Sequence, residues 1–142
     1  MAQIKEAYLD STVFITAAVG TDMHADKARK IISSVENGII YGYTSVLTFD
    51  EVVFIVRKLA DFEKSAIAGE IFLNTEHLNF INVSYETILS ANDLIKKYRL
   101  KPRDAIHAAC ALRKNVFTII SDDNDFDVLK EIKRVSIKDF KV

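Results

Sequence analysis

The feature that most constrains the fold is a regular alternation of short apolar runs with longer segments of helical length. Runs of this kind are typical of strands, and they occupy residues 7–9, 39–43, 78–83, 116–120 and 134–137. Strands that alternate with helices predict a parallel sheet covered by helices on both faces. We therefore expect an α/β fold with a central, mostly parallel, twisted sheet of about five strands.

The segment 45–60 is the ambiguous part of this pattern. Its β-branched and aromatic stretch VVFIV, at 52–56, favours a strand. Its length, and apolar residues at positions 46, 49, 53, 56 and 60, favour a helix. We predict a helix here. Two other helices have clear start signals, because Ser84 is a good N-cap and Pro102 suits a first helical turn.

Length and composition predict one globular domain spanning residues 1–142. A chain of 142 residues can bury a single core, and 49% hydrophobic with 27% charged residues is a globular balance. The single cysteine, Cys110, forms no internal disulfide and is expected to be a buried free thiol. The sequence has neither a signal-peptide pattern nor a segment apolar enough to cross a bilayer. We expect a cytoplasmic protein that does not enter the membrane.

The charge of the chain is balanced, since 19 basic residues face 20 acidic ones and the net charge is -1. The chain as a whole therefore has no basic footprint for nucleic acid, and any such binding must come from uneven placement of charge. The densest basic stretch covers residues 96–103, and its candidate nucleic-acid-binding residues are Lys97, Arg99, Lys101 and Arg103. The alternative is a solvated helix end, where basic side chains favour the helix dipole.

Acidic side chains follow two of the predicted strands at the point where each strand ends. Asp10 follows the first strand, and Asp122 and Asp123 follow the strand at 116–120. The carboxyl ends of parallel strands lie on one edge of a sheet, so we expect these acids to lie near one another. That edge is where open α/β folds place their ligands.

Two further acids, Glu51 and Asp104, lie on predicted helices. Each has an ordinary alternative, because an isolated helical Glu commonly faces solvent and an Asp in a first turn is favoured by the helix dipole. If all these carboxylates converge, their oxygens suit one or two hard cations such as Mg2+. With two ions about 4 Å apart, one activates a water and the other stabilises the leaving oxygen of a phosphodiester.

The chain resembles the PIN-domain family, and within it the small VapC-type toxins. The matching pieces are YLDS at 8–11, TS at 44–45 with DEVV at 50–53, RDAIHAA at 103–109 and ISDDNDF at 120–126. They occur in the order typical of the family and span nearly the whole chain. Each piece alone is unspecific, but the set is specific.

The resemblance implies that four residues are both catalytic and ligands of Mg2+ or Mn2+: Asp10, Glu51, Asp104 and Asp123. It assigns supporting roles to Ser11, Ser121 and Asp125. Asp123 is preferred to Asp122 because the acid typical of the family lies two residues beyond the Ser and three before the Phe. Asp50 is the alternative to Glu51 if the helical phase differs. His107 lies one helical turn from Asp104, which suggests a metal or base role, but a His on an Ala-rich helix is more often a packed or surface residue. Tyr98 could stack on a base, but it is expected to pack.

The function implied by the resemblance is metal-dependent endonucleolytic hydrolysis of RNA. It also implies a homodimer and, if the chain is the toxin of a toxin–antitoxin pair, a small antitoxin protein as partner. One alternative is a haloacid-dehalogenase-like phosphatase with Asp10 as nucleophile, although Thr12 then occupies the place of the general acid. The other is a non-catalytic PIN-fold module that binds nucleic acid or a protein partner.

Overall fold

The computed structural model describes residues 4–141, and within them the alternation expected from the sequence is present. The strands are β1 (Glu6–Leu9), β2 (Tyr41–Ser45), β3 (Leu78–Ile81), β4 (Thr118–Ile120) and β5 (Lys133–Val135). The helices are α1 (Ser11–Val19), α2 (Met23–Glu36), α3 (Leu47–Leu59), α4 (Phe62–Leu73), α5 (Tyr85–Tyr98) and α6 (Pro102–Arg113). A short 3-10 helix, Asn124–Val128, lies between β4 and β5.

The five strands form one sheet in the order β3-β2-β1-β4-β5, and every pairing between neighbours is parallel. This confirms the expected α/β fold. The chain builds outwards from β1 through β2 to β3, and then returns to the other side of β1 to form β4 and β5. Strand order therefore reverses between β1 and β4, and the carboxyl ends at such a switch point are the usual ligand site of an open α/β sheet.

Alternate residues of the central strands enter two separate cores, one on each face of the sheet. Ala7 and Leu9 of β1 join a core that includes side chains from α1, α2, α3 and α4. Tyr8 joins the opposite core, which is built mainly with α5, α6 and the chain around the 3-10 helix. Both faces are thus covered by helices, as predicted, and strands buried on both faces explain the continuous apolar runs in the sequence.

The ambiguous segment is helical, and α3 confirms the prediction for 45–60. Thr48, Val52 and Val56 are spaced four residues apart and form its buried face, so the β-branched side chains pack against the core from a helix. Ser84 caps α5 in a capping box with Thr87, and Pro102 is the first residue of α6. The starts of α5 and α6 therefore follow the local signals expected for them.

Helix α6 presents a stripe of small residues to the sheet. Ala105, Ala108 and Ala109 are buried, together with Cys110. Small side chains let a helix axis lie close to the surface that it covers. Helix α6 can therefore lie close to the sheet, with its first turn near the carboxyl ends of β1 and β4. Among residues 4–141, no helix has both the length and the apolar character needed to span a bilayer.

Candidate metal centre

The structure places the four predicted carboxylates at the carboxyl edge of the sheet. Asp10 lies between β1 and α1, and Asp123 lies between β4 and the 3-10 helix. Glu51 is in the second turn of α3 and Asp104 in the first turn of α6. Three of the four line an open cleft of about 530 Å³, whose lining residues are Glu51, Lys101, Pro102, Arg103, Asp104 and Asp123. Asp10 is almost fully buried beneath them.

Asp10 is held in place by two hydroxyl groups. The Ser121 Oγ donates a hydrogen bond of 2.6 Å to the Asp10 Oδ2, and the Thr12 Oγ1 donates a longer one of 3.3 Å. The same Ser121 Oγ accepts a hydrogen bond of 2.9 Å from the backbone N–H of Asp123. Ser121 therefore joins the end of β1 to the end of β4 and fixes the relative positions of two predicted ligands.

Asp104 has a raised pKa and a buried carboxylate oxygen that lacks a partner among the described residues. It is only 8% exposed, and its Oδ2 is buried without a hydrogen-bond partner among the described residues. Burial raises the pKa of Asp104 to about 6, with further contributions from the negative charges of Asp123 and Asp10. A buried carboxylate oxygen with no partner is costly, and a cation would satisfy it. The site thus fits a bound metal ion.

The candidate ligand atoms fall into two groups. One oxygen each from Asp104, Asp123 and Asp125 lie within 4.8 Å of one another, and a second group with the same spread combines Asp10, Glu51 and His107. The first group offers oxygen atoms alone, which is the donor set that suits Mg2+ and Mn2+. Predicted supporting residue Asp125 belongs to this group, and its carboxylate also lies 3.1 Å from the Lys101 Nζ.

His107 is a site residue that the sequence did not reveal. It is fully buried, as expected of a packing residue, but its Nε2 contacts the Glu51 Oε1 and lies 3.7 Å from the Asp10 Oδ1. Its Nδ1 lies 2.6 Å from the Tyr8 hydroxyl. Burial lowers the pKa of His107, but the hydrogen bond with Glu51 and the charges of Asp10, Glu51 and Asp104 outweigh it, so this pKa is raised overall. The available signal was its position one helical turn after Asp104.

Asp122 and Asp123 have different surroundings. The Asp122 Oδ1 accepts a hydrogen bond of 2.9 Å from the backbone N–H of Ile137, and its Oδ2 lies 2.6 Å from the His24 Nε2. Asp122 therefore ties the loop after β4 to α2 and to the C-terminal segment, whereas Asp123 lines the cleft. This placement supports Asp123 as the site residue of the pair.

We expect Asp122→Ala to lower stability and Asp123→Ala to lower metal binding. The first change removes two hydrogen bonds that join separate elements, which costs about 1 to 2 kcal/mol and a few degrees of melting temperature. The second removes a candidate ligand. Melting curves of both variants, with EDTA and with Mn2+, separate these roles. The assignment would be wrong if Asp122→Ala lost the stabilisation by Mn2+ while Asp123→Ala kept it.

Two neighbouring pairs of residues clarify the other predictions. Asp50 is exposed and its Oδ2 lies 3.5 Å from the Arg103 guanidinium, so the helical phase turns Glu51 and not Asp50 towards His107.

Ser11 is buried but forms no side-chain hydrogen bond within residues 4–141, whereas Thr12 contacts both Asp10 and the backbone N–H of Asp122. Thr12 was not singled out from the sequence as a supporting residue.

The basic stretch borders the cleft at Lys101 and Arg103, and three of its five charges are paired. Lys97 lies 3.6 Å from Glu131, and Lys101 and Arg103 pair with acids as described above. Arg99 ends α5 in a left-handed conformation, is exposed, and has no ion pair among the described residues. Tyr98 contacts Glu131 through its hydroxyl. A polyanion at this surface must therefore compete with local acids for Lys97, Lys101 and Arg103, whereas Lys96 and Arg99 have no ion pair among the described residues.

Comparison with known proteins gives consistent matches. The family model described as PIN domain matches residues 7–132. Ribonuclease VapC2 of Methanocaldococcus jannaschii is 25% identical over 131 residues, which cover 84% of this chain and 85% of that protein. Among solved structures, VapC20 of Mycobacterium tuberculosis, described as a sarcin-ricin loop cleaving toxin, has a TM-score of 0.74 at 14% identity, covering 89% of this chain and 96% of that one. A toxin–antitoxin complex from Klebsiella pneumoniae has a TM-score of 0.64 at 22% identity, and the match covers 89% of this chain and 95% of that one.

Proposed function

The chain belongs to the PIN-domain family, and from this membership and its acidic cleft we propose that it is a metal-dependent endoribonuclease acting as a single domain over residues 1–142. The observation that carries the proposal is the buried Asp104 Oδ2, which lacks a partner beside two further carboxylates at the switch point of the sheet. An enzyme for a polyanion needs positive charge at such a place, and a divalent cation supplies it. Asp10, Glu51, Asp104 and Asp123 are the proposed ligands, directly or through water.

The proposed cofactor is Mg2+ or Mn2+. When bound, such ions lower the pKa of an attacking water and stabilise charge on the leaving oxygen of a phosphodiester. The chain itself provides the rest of the site. Ser121 and Thr12 orient Asp10, and Asp104 adds a nearly buried carboxylate to the wall of the cleft. No side chain has to form a covalent bond to the substrate.

A cleavage assay on a mixed RNA pool tests this proposal. We expect endonucleolytic products with Mn2+ or Mg2+ and none with EDTA, and we expect a DNA pool of the same sequences to be cleaved less. Labels on the two ends of the RNA distinguish internal cleavage from shortening at one end. If metal-loaded protein leaves every RNA intact, it is a non-catalytic binding module.

The phosphatase alternative has no specific observation in its favour. The place of its general acid is held by Thr12, whose hydroxyl is committed to Asp10 and to the backbone N–H of Asp122. A phosphatase of that class would accumulate a phosphoryl-aspartate at Asp10, which acid quenching and mass spectrometry detect. The nuclease proposed here passes through no covalent intermediate.

The basic stretch is proposed to hold the RNA backbone. Replacing Lys97, Arg99 and Lys101 together with Gln should weaken RNA binding and reduce the slope of log K against log[salt] by about 2, since each contact to single-stranded RNA contributes roughly 0.7. Filter binding at several salt concentrations measures this slope. A matched control replaces Lys30, Lys58 and Lys64, which lie on α2, α3 and α4 and outside the basic stretch. An unchanged slope in the first variant would show that the stretch is only a solvated helix end.

We also propose a homodimer and a small antitoxin protein as partners, in the cytoplasm. Support for an antitoxin comes from the Klebsiella pneumoniae neighbour, which is a toxin–antitoxin complex. The outer surfaces of α3 and α4 add support, since Phe54, Leu59, Phe62, Ile67 and Ile71 are all more than half exposed. Exposed apolar patches of this kind commonly mark protein interfaces. Light scattering on the purified chain tests the dimer.

A further inference from the structure

His107 is a fully buried polar side chain at the base of the cleft. Its ring touches Tyr8 on one side and two predicted metal ligands on the other, with the Tyr8 hydroxyl at 2.6 Å from Nδ1 and Asp10 Oδ1 at 3.7 Å from Nε2. The nearest contact of Nε2 is the Glu51 Oε1. The Tyr8 and His107 rings also meet edge to face, with centroids 5.6 Å apart. The orientation of the imidazole is therefore fixed from both sides.

The direction of the hydrogen bond to Glu51 follows from its partners. A carboxylate that binds a metal ion is deprotonated and only accepts hydrogen bonds, so with Glu51 as a ligand the His107 Nε2–H donates the hydrogen bond to the Glu51 Oε1. Tyr8 holds the other nitrogen, either by donating to a neutral Nδ1 or by accepting from a protonated one. In both states the same Nε2–H faces Glu51.

The Glu51 carboxylate depends for its position on a side chain from another helix, His107 of α6. Asp10 is held by two hydroxyl groups, and the Asp123 Oδ1 accepts a hydrogen bond of 2.9 Å from the backbone N–H of Asp125. Within residues 4–141, the hydrogen bond from His107 is the one that the Glu51 carboxylate receives. A Glu side chain has three rotatable bonds and loses conformational freedom when it is fixed.

We propose that His107 is a positioning residue that holds the Glu51 carboxylate towards the metal centre, with Tyr8 fixing the imidazole. This inference rests on the proposed function, since it assigns a purpose to Glu51 as a ligand. His107 acts through Glu51 and does not bind the ion itself. Hydrogen-bonded partners of metal ligands of this kind contribute about tenfold to a hundredfold to metal affinity or activity.

The test is Mn2+ binding without RNA, measured by the EPR signal of free Mn2+ on wild type and three variants. His107→Leu removes the donor, and we expect a loss of affinity of about tenfold to a hundredfold. His107→Gln can place an amide N–H near the former Nε2, so it should recover most of the affinity. The double variant Tyr8→Phe with His107→Leu removes both partners of the buried pair, which avoids leaving a buried hydroxyl unpaired if the single variant folds poorly.

A packing control and a spectroscopic readout complete the design. Cys110→Ala changes the same buried face of α6 at a residue with no hydrogen bond to a carboxylate among the described residues, and it should bind Mn2+ like wild type. Wild-type affinity in a folded His107→Leu variant would overturn the inference and leave the proposed function standing. Nitrogen coupling in the pulsed EPR spectrum of wild-type bound Mn2+, lost in His107→Gln, would also overturn it by making His107 a ligand. Absence of Mn2+ binding in wild type would overturn the proposed function itself.

Discussion

Glu51→Gln and Asp104→Asn are each expected to lower the rate of RNA cleavage by roughly a hundredfold or more while the protein stays folded. Each change removes a charge from the proposed metal centre and keeps the shape of the side chain. A bound ion contributes several kcal/mol to stabilising the transition state of phosphodiester hydrolysis, and each 1.4 kcal/mol or so corresponds to about tenfold in rate. Single-turnover cleavage at saturating RNA measures the effect directly. Asp10→Asn should behave in the same way.

Asp50→Asn is the matched control for Glu51→Gln. The two residues are adjacent on α3, yet Asp50 is exposed and faces Arg103, while Glu51 faces His107. We expect near wild-type cleavage from Asp50→Asn. The proposed site would be wrong if the two variants cleaved equally well, and the helical phase assigned to Glu51 would be wrong if only Asp50→Asn lost activity.

The metal-free protein is expected to be stabilised by Asp104→Asn at neutral pH. Because the pKa of Asp104 rises from 3.8 to about 6 on folding, the folded state binds its proton more tightly than the unfolded state does. Asp104 therefore contributes stability that is fully present below pH 3.8 and is lost as the pH rises through 6. An Asn side chain does not ionise, so the stability of the Asp104→Asn variant does not fall in this way as the pH rises. We expect a gain on the order of 2 kcal/mol, or several degrees of melting temperature, above pH 7.

Melting curves in metal-free buffer at pH 5 and pH 7.5 test this expectation. The difference in melting temperature between Asp104→Asn and wild type should grow as the pH rises, and Mn2+ should then stabilise wild type more than the variant. At tenfold excess over Kd, metal adds about 1.4 kcal/mol to wild type. Equal melting temperatures at both pH values would show that burial and the neighbouring acids do not raise the pKa of Asp104.

The sequence predicts the parts of this site that depend on sheet topology. Asp10 and Asp123 each follow an apolar run that forms a central strand, and parallel strands that are neighbours bring their carboxyl ends together. Once the alternation of strands and helices is recognised, the convergence of these two acids follows from the topology alone. The family pattern then adds Glu51 and Asp104. Both lie on helices, and the local sequence does not determine whether their side chains face the sheet edge or solvent.

The parts that were not predicted depend on how helices pack across the sheet edge. The contact of His107 with Glu51 joins α6 to α3, and no local pattern encodes the distance between those two helices. The same holds for Thr12, whose hydroxyl reaches the loop after β4. The pairing of Lys101 with Asp125 also depends on how the start of α6 packs against the 3-10 helix. Contacts of this kind are set by tertiary packing, which residue types and spacing leave undetermined.

The cleavage rate of one RNA, measured together with Mn2+ occupancy in the same metal-stripped sample, tests the central claim most directly. Occupancy is followed by EPR as Mn2+ is added, and the RNA products are quantified at each step. We expect no cleavage at zero occupancy, a rate that rises in proportion to bound Mn2+, and a return to no cleavage when EDTA is added. Cleavage at an undiminished rate in the stripped protein, or full Mn2+ occupancy with no cleavage of any RNA, would contradict it.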